Sequence, residues 1–214
     1  MNKSTLLLGM LTVLGHSLIG QIDGSSADMR ERVTFGLKGG MNYSNVYNSK
    51  GQEFGADPKW GIAAGWFATI PFGRYFGLQP ELLLSQRGLK GSGRMLGSTY
   101  DFARTSTYLD IPVMAAFKPS AFFTLLAGPQ YSYLIRQKDV FTSTANSFEQ
   151  ETEFKKDHAR KNTLCVLTGF DVNVDHVVFA LRAGWDLQSN TGDGSAITPR
   201  YKSLWYQSTL GYRF

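Results

Sequence analysis

The sequence predicts an all-β fold: an eight-stranded antiparallel up-and-down transmembrane β-barrel behind an N-terminal signal peptide. Three observations predict it. The first is the end of the chain. Leu204, Tyr206, Ser208, Leu210, Tyr212 and Phe214 share one parity, mostly apolar and aromatic, while Trp205, Gln207, Thr209, Gly211 and Arg213 share the other. A period of two is a half-buried strand, and an apolar outer parity suits a wall bathed in lipid. The second is that seven further segments alternate in the same way. The third is that the connections between them alternate long and short, as expected when tight turns lie on one side of a membrane and long loops on the other.

The elements follow in order. Lys3 and the apolar run Leu6 to Leu14 read as a signal peptide over residues 1–20. The run is too short to span a bilayer. Gly15, Ser17 and Gly20 precede an expected cleavage between Gly20 and Gln21. Residues 21–31 form a polar periplasmic lead-in, and 32–214 the barrel. In 32–42, Val33, Phe35, Leu37 and Met41 oppose Thr34, Lys38 and Asn42. In 59–70, Trp60, Ile62, Trp66 and Ile70 oppose Gly61, Ala63 and Gly65. In 75–87, Phe76, Leu78, Leu82 and Leu84 oppose Gln79, Glu81, Ser85 and Arg87. In 105–117, Leu109, Ile111, Val113 and Phe117 oppose Tyr108, Asp110 and Met114. In 122–136, Phe123, Leu125, Tyr131 and Tyr133 oppose Thr124, Gln130, Ser132 and Arg136. In 163–174, Leu164, Val166, Phe170 and Val172 oppose Gly169, Asp171 and Asn173. In 177–188, Phe179, Leu181, Trp185 and Leu187 oppose Arg182, Gly184 and Asp186.

The short connections are 71–74, 118–121 and 175–176, and the long ones 43–58, 88–104, 137–162 and 189–201. Pro80, Pro112 and Pro129 fall inside strands. Proline removes a ladder bond, and a closed barrel has no edge to place it on, so bulges are expected there.

Composition agrees. Charged residues are 18% of the chain, below the roughly 25% usual in soluble domains. A mean hydropathy of -0.19 excludes a helical membrane bundle, whereas an alternating barrel hides its lipid face from such an average. The formal charge is +5, which in a basic chain raises nucleic acid as a partner. The leader and the alternation argue against it, and the charges are scattered except for KKDHARK at 155–161. Cys165 is the sole cysteine, so no internal disulfide forms, and it reads as a buried, inert thiol.

Chemistry is sparse. His16 leaves with the leader, His176 lies in a two-residue turn, and His158 lies beside Asp157 in a charged loop. No HxxxH, CxxC or nucleophile elbow occurs. His158 with Asp157 is the sole candidate for an enzyme acting at the rim, and it reads as a solvated loop pair. GLKGG in a strand and GSG at 91–93 in a loop open no helix and hold no phosphate. No catalytic residue, cofactor or metal is expected. The inward acids and bases are Lys38, Glu81, Arg87, Asp110, Asp171, Arg182, Asp186 and Arg213. An eight-stranded barrel is just wide enough for side chains to fill, and buried charges must be paired. Glu81 is therefore expected to meet Lys38 or Arg182, and Asp110 or Asp186 to meet Arg87.

FGLKGGMNYSN, GWFATIPFGRYFGLQPELLLSQRG, YLDIPVMAAF, FTLLAGPQYSYLI and the final LGYRF together resemble the PorT-like outer-membrane β-barrel family common in Bacteroidetes, from about residue 33 to the end. The resemblance implies an outer-membrane barrel of eight strands with both termini in the periplasm, and little chemistry. Tyr212 and Phe214 resemble the terminal aromatic signal read by the barrel-assembly machinery. Expected partners are outer-membrane lipid, that machinery during biogenesis, and an envelope protein of unknown identity, with no nucleic acid. Three function classes compete: a structural or interaction barrel with a filled lumen, a narrow small-solute or ion channel, and an enzyme active at the outer rim.

Overall fold

The structure, a computed structural model, describes residues 29–48, 56–95, 98–143, 147–151, 160–189 and 201–214. The expected leader, nearly all of the lead-in, and His158 with Asp157 lie outside these residues. A short 3-10 turn, Met29–Glu31, precedes β1 (Thr34–Asn48), β2 (Asp57–Pro71), β3 (Phe76–Met95), β4 (Ser98–Phe117), β5 (Phe123–Ser143), β6 (Ser147–Glu151), β7 (Asn162–Val174), β8 (Val177–Asp186) and β9 (Tyr201–Arg213). Each strand pairs antiparallel with its neighbour in the wall, and β4 pairs with β5 to complete the ring β4-β3-β2-β1-β9-β8-β7-β5. Eight strands therefore form a closed, antiparallel wall. β6 is an addition, pairing only with Lys138 to Thr142 beyond the stretch of β5 that meets β7.

Alternation determines which way each side chain points. Trp60 is 66% exposed, Trp66 61% and Leu210 61%, while Asn42, Ser85 and Ser132 are fully buried. A soluble surface does not carry so wide an apolar patch. The polar interior and apolar exterior are those of a wall in lipid. Aromatic pairs collect at both borders of the apolar band. Phe76 with Phe117, Phe123 with Phe170, and His176 with Tyr212 lie toward the tight turns, and Tyr43 with Trp60 toward the loops. On β1 the outward row runs from Phe35 to Tyr43. Eight residues of strand tilted about 40° rise roughly 20 Å, a membrane-scale band.

The seam between β1 and β9 needs a glycine. A Cβ on Gly40 would stand 2.0 Å from the Ser208 carbonyl oxygen, so a larger residue would push the closing strands apart. At the turn end, Phe214 N–H donates to the Phe35 carbonyl at 2.8 Å. Lys118, in the turn after β4, is buried and donates to the Arg30 carbonyl at 2.6 Å, fastening the 3-10 turn against that end.

Three expectations need correction. Most of 88–104 is strand, not loop: β3 runs to Met95 and β4 starts at Ser98, so GSG at 91–93 is paired in a ladder, and the expected loop 137–162 likewise holds the end of β5, to Ser143, and all of β6. The ladder satisfies the backbone there, while glycine and polar residues on both parities deny the sequence the alternation that marks a wall strand. The prolines produce no bulge. Pro80 pairs with Val113, Pro112 with Gln130 and Pro129 with Val166, with no shift of register. The shifts fall instead between Pro58 and Ala63 against β3 and between Thr107 and Tyr108 against β5. The second shift reverses the parity at the loop end of β5. Leu134 is buried and Arg136 exposed, so Arg136 faces outward rather than into the lumen.

Candidate functional site

The site is the barrel's interior, and small residues make room for it. Lys38 on β1 lies between Gly65 on β2 and Gly211 on β9. With no side chains beside it, Lys38 reaches across β2 and its Nζ contacts Glu81 Oε2 on β3. Arg182 on β8 stands beside Gly169 on β7 and likewise extends inward. Its Nη2 is 2.6 Å from Asp171 Oδ1 and 3.7 Å from Glu81 Oε1. Gln79 Nε2 donates to Glu81 Oε1 at 3.0 Å and to Asp171 Oδ2 at 3.2 Å, joining the two acids. Arg182 also donates through Nη1 to the Phe170 carbonyl at 2.9 Å. This layer is electrically balanced, with Lys38 and Arg182 set against Glu81 and Asp171.

A second layer lies nearer the loops. Arg87 Nη2 donates to Asp110 Oδ2, and Arg87 Nη1 is 3.8 Å from Asp186 Oδ1. Ser132 Oγ donates to Asp110 Oδ1 at 2.6 Å, and Gln130 Nε2 donates to Ser132 Oγ at 3.0 Å. Cys165 Sγ donates to Asp186 Oδ1 at 3.1 Å, and Ser203 N–H to Asp186 Oδ2 at 3.0 Å. The Arg87 guanidinium lies 3.6 Å from the centre of the Trp205 ring. Such a contact favours a cation most where water is excluded. Trp205 in turn needs Gly184, where a Cβ would come 2.3 Å from the indole.

Between the layers, Gln207 Nε2 donates to Asn42 Oδ1 at 2.9 Å, and Asn42 Nδ2 donates to Ser85 Oγ at 3.0 Å. Met114, Ala116, Leu126, Cys165, Leu167 and Trp205 form a buried apolar cluster in the same interior. A third ionic contact closes the loop end. Arg104 grips Asp139 with Nε at 2.9 Å and Nη2 at 2.7 Å, and donates to Tyr201 Oη at 3.2 Å. The void among Arg87, Arg104, Tyr108 and Tyr201 is about 10 Å³, at the lower limit of what a single water needs.

Seven of the eight inward charges read from the sequence thus fall into two clusters. Arg213 does not join them. It turns to the rim, where Nη2 donates to the Asp175 carbonyl at 2.8 Å and tethers the β7–β8 turn. Tyr212 and Phe214 point outward and touch edge to face, their ring centres 5.6 Å apart. The Arg104–Asp139 pair escaped the sequence because both residues fell near or inside expected loops. Trp205 lay on the inward parity, but nothing in the pattern said that it would carry a guanidinium. The bridging role of Gln79 likewise needs the register of three strands. Among the described residues no group of three His, Cys, Asp or Glu side chains could hold a metal ion.

Residues 21–191 match the family model described as outer membrane protein beta-barrel domain. Among solved structures, the chain is similar to Ail, the attachment invasion locus protein of Yersinia pestis, in complex with the heparin analogue sucrose octasulfate. The identity is 14%, the coverage 86% of this chain and 99% of that one, and the TM-score 0.48. It is similar to Neisserial surface protein A at 11% identity, covering 86% of this chain and 100% of that one, with a TM-score of 0.48. It is also similar to OprG from Pseudomonas aeruginosa at 14% identity, covering 86% and 97%, with a TM-score of 0.38. No curated protein sequence matches the chain.

Proposed function

Because the chain belongs to the outer membrane protein beta-barrel domain family, we propose that it is a closed, non-conducting barrel serving as a structural and interaction protein of the cell envelope. The observation that carries this reading is the stack of ion pairs across the lumen. Lys38, Glu81, Arg182 and Asp171 form one tier, Arg87, Asp110 and Asp186 another, and Arg104 with Asp139 the last. A wet pore keeps charges apart and hydrated. Charges removed from water must be paired, and each of these has a partner of opposite sign, while Arg87 Nε, Arg182 Nε and Asp171 Oδ1 are buried without a hydrogen bond. On this reading its work falls to surfaces rather than to catalysis; His158 with Asp157, the candidate for an enzyme acting at the rim, lies outside the described residues.

The finer reading is a place in the broad PorT-like family. GLKGG, QPELLLSQRG, YLDIP, AGPQYSYL and LGYRF support it. On this reading residues 1–20 direct export, both termini and the tight turns face the periplasm, and the loops face outward. The barrel-assembly machinery reads Tyr212 and Phe214, and an envelope protein docks on an exposed end. A narrow cation path is the second reading. It is favoured by the excess carboxylate of the middle tier, where Asp110 and Asp186 share one Arg87.

Planar-bilayer recording decides between them. The purified full chain is expected to give no steady current. A reproducible open state whose ion selectivity shifts in Glu81→Gln would overturn the closed-barrel reading.

A further inference from the structure

We propose that the 3-10 turn Met29–Glu31 is a strap across the turn-end mouth of the lumen, held down by Lys118 and able to lift without the wall opening. The inference rests on the closed-barrel reading. It begins with the burial of a lysine in a tight turn. Met114, Ala116 and Lys118 are buried and alternate with the exposed Val113 and Phe117, so Lys118 prolongs the inward row of β4 past the strand's end. Its backbone is pinned, the N–H donating to the Tyr75 carbonyl at 2.7 Å. Its Nζ lies 3.4 Å from where a Cβ on Gly77 would stand. Gly77 is opposite Ala116 and shares the inward parity of Gln79 and Glu81. The ammonium is therefore on the lumen side of β3.

Arg30 is on the lumen side as well, because its carbonyl accepts from Lys118 Nζ at 2.6 Å. From there the chain returns to Thr34, the first residue of β1, which stands opposite Thr69 on β2. β1 and β3 flank β2 in the ring. Two strand spacings are roughly 10 Å, a gap that the extended step from Arg30 to Thr34 reaches across with little slack. The segment 30–33 is thus a chord drawn inside the wall, in front of β2. The interior of an eight-stranded barrel is just wide enough for side chains to fill, so a chord of main chain takes up much of the opening.

The strap is built to lift. None of Met29, Arg30 and Glu31 is buried, whereas Lys118 beneath them is. The turn is closed by Arg32 N–H on the Met29 carbonyl at 3.5 Å, a long bond. Segments that bury little surface open locally at far lower free energy than the strands they join. The wall stands without the strap, since β1 is held from Thr34 by β2 and from Gly36 by β9. Lifting bares the Lys118 ammonium and the inward Thr34, Thr69 and Thr124, all buried with the strap down. The turn end thus has a shut and an open state, while the Lys38–Glu81 and Arg182–Asp171 pairs stay in place as the floor of the opening.

The test uses the full chain in dodecylmaltoside micelles and a maleimide reagent. Thr34→Cys in a Cys165→Ala background is the reporter, and it breaks no hydrogen bond, since Thr34 Oγ1 is buried without one. It is expected to label slowly, and at least tenfold faster once Lys118→Met is added, which keeps the length of the side chain and removes its donor. Arg74→Gln, in another tight turn, should leave the rate unchanged. The native Cys165, beyond the first tier, should stay protected in Lys118→Met. Heat-modifiable mobility on gels shows that each variant is folded. Should Lys118→Met not fold, hydrogen exchange of the unaltered chain is read instead, and the Arg32 amide is expected to exchange at least tenfold faster than those of Lys38 to Asn42. Equal rates with and without Lys118→Met, a reporter that labels rapidly from the start, a like gain from Arg74→Gln, loss of Cys165 protection in Lys118→Met, or exchange of Arg32 in step with β1 each overturns the proposal. Rapid labelling of Cys165 in the unaltered chain overturns the closed barrel instead, so the two failures are read separately.

Discussion

Glu81 receives Lys38 and Arg182 from opposite sides and is bonded again by Gln79. Removing it leaves two buried cations facing a single remaining carboxylate, Asp171. Breaking a buried pair typically costs about 3–5 kcal/mol, because the stranded charge stays in a medium that cannot solvate it. Glu81→Ala should therefore lower unfolding stability by about that amount, measured by urea titration in micelles. A folded Glu81→Ala protein of unchanged stability would mean that water already solvates the lumen. Cys165 offers a second probe. It is fully buried between Ser132 and Asp186. In the folded protein it should resist a maleimide reagent and react within the mixing time after denaturation. Rapid labelling of folded protein would show an accessible lumen. At this scale the sequence shows which residues face inward, since parity alone assigns Lys38, Glu81 and Arg87. The expected meetings of Glu81 with Lys38 or Arg182 and of Arg87 with Asp110 or Asp186 are made; what parity does not show is the bridge of Gln79 between Glu81 and Asp171, which depends on the register of several strands.

Strands were legible where one face meets lipid and the other does not. From Phe35 to Tyr43, or Leu204 to Phe214, the contrast between faces is large and the period is plain. Beyond the apolar band β3, β4 and β5 carry glycine and polar residues on both parities, so alternation fades although the ladder continues. That is why 88–104 read as a loop. Bulges are illegible for a different reason. Proline announces a missing donor but does not add a residue, and its ladders skip a bond without shifting. One shift occurs at Lys59, directly after Pro58, and the other near Ile135, where no breaker residue marks it. The terminal strand carries its own prediction. Phe214 closes onto the Phe35 carbonyl and packs on Tyr212 at the outward border. Deleting Phe214 should reduce the amount of heat-modifiable barrel in the outer membrane more than the amount of exported chain. Unchanged assembly after the deletion would remove the terminal aromatic signal from the account.

For the whole molecule, closure rests on β1 meeting β9 along thirteen register pairs. Nothing local in either strand names the other. An even number of strands and a sorting of connections by length are what made a ring legible. The same sorting predicts topology. Protease added to intact cells should cut within 137–162 and spare 118–121, and the opposite pattern would invert the barrel. The eight wall strands are unequal in length. β3, β4 and β5 have 20, 20 and 21 residues, against 10 in β8 and 13 in β9. Among the described residues the wall is therefore cut on a slant, like a quill, with a parapet at β3, β4 and β5 and a low sill at β8 and β9. Rotation about the membrane normal no longer returns the same silhouette, so the molecule has a heading in the plane of the bilayer. Neighbours packed around the barrel find a front and a back.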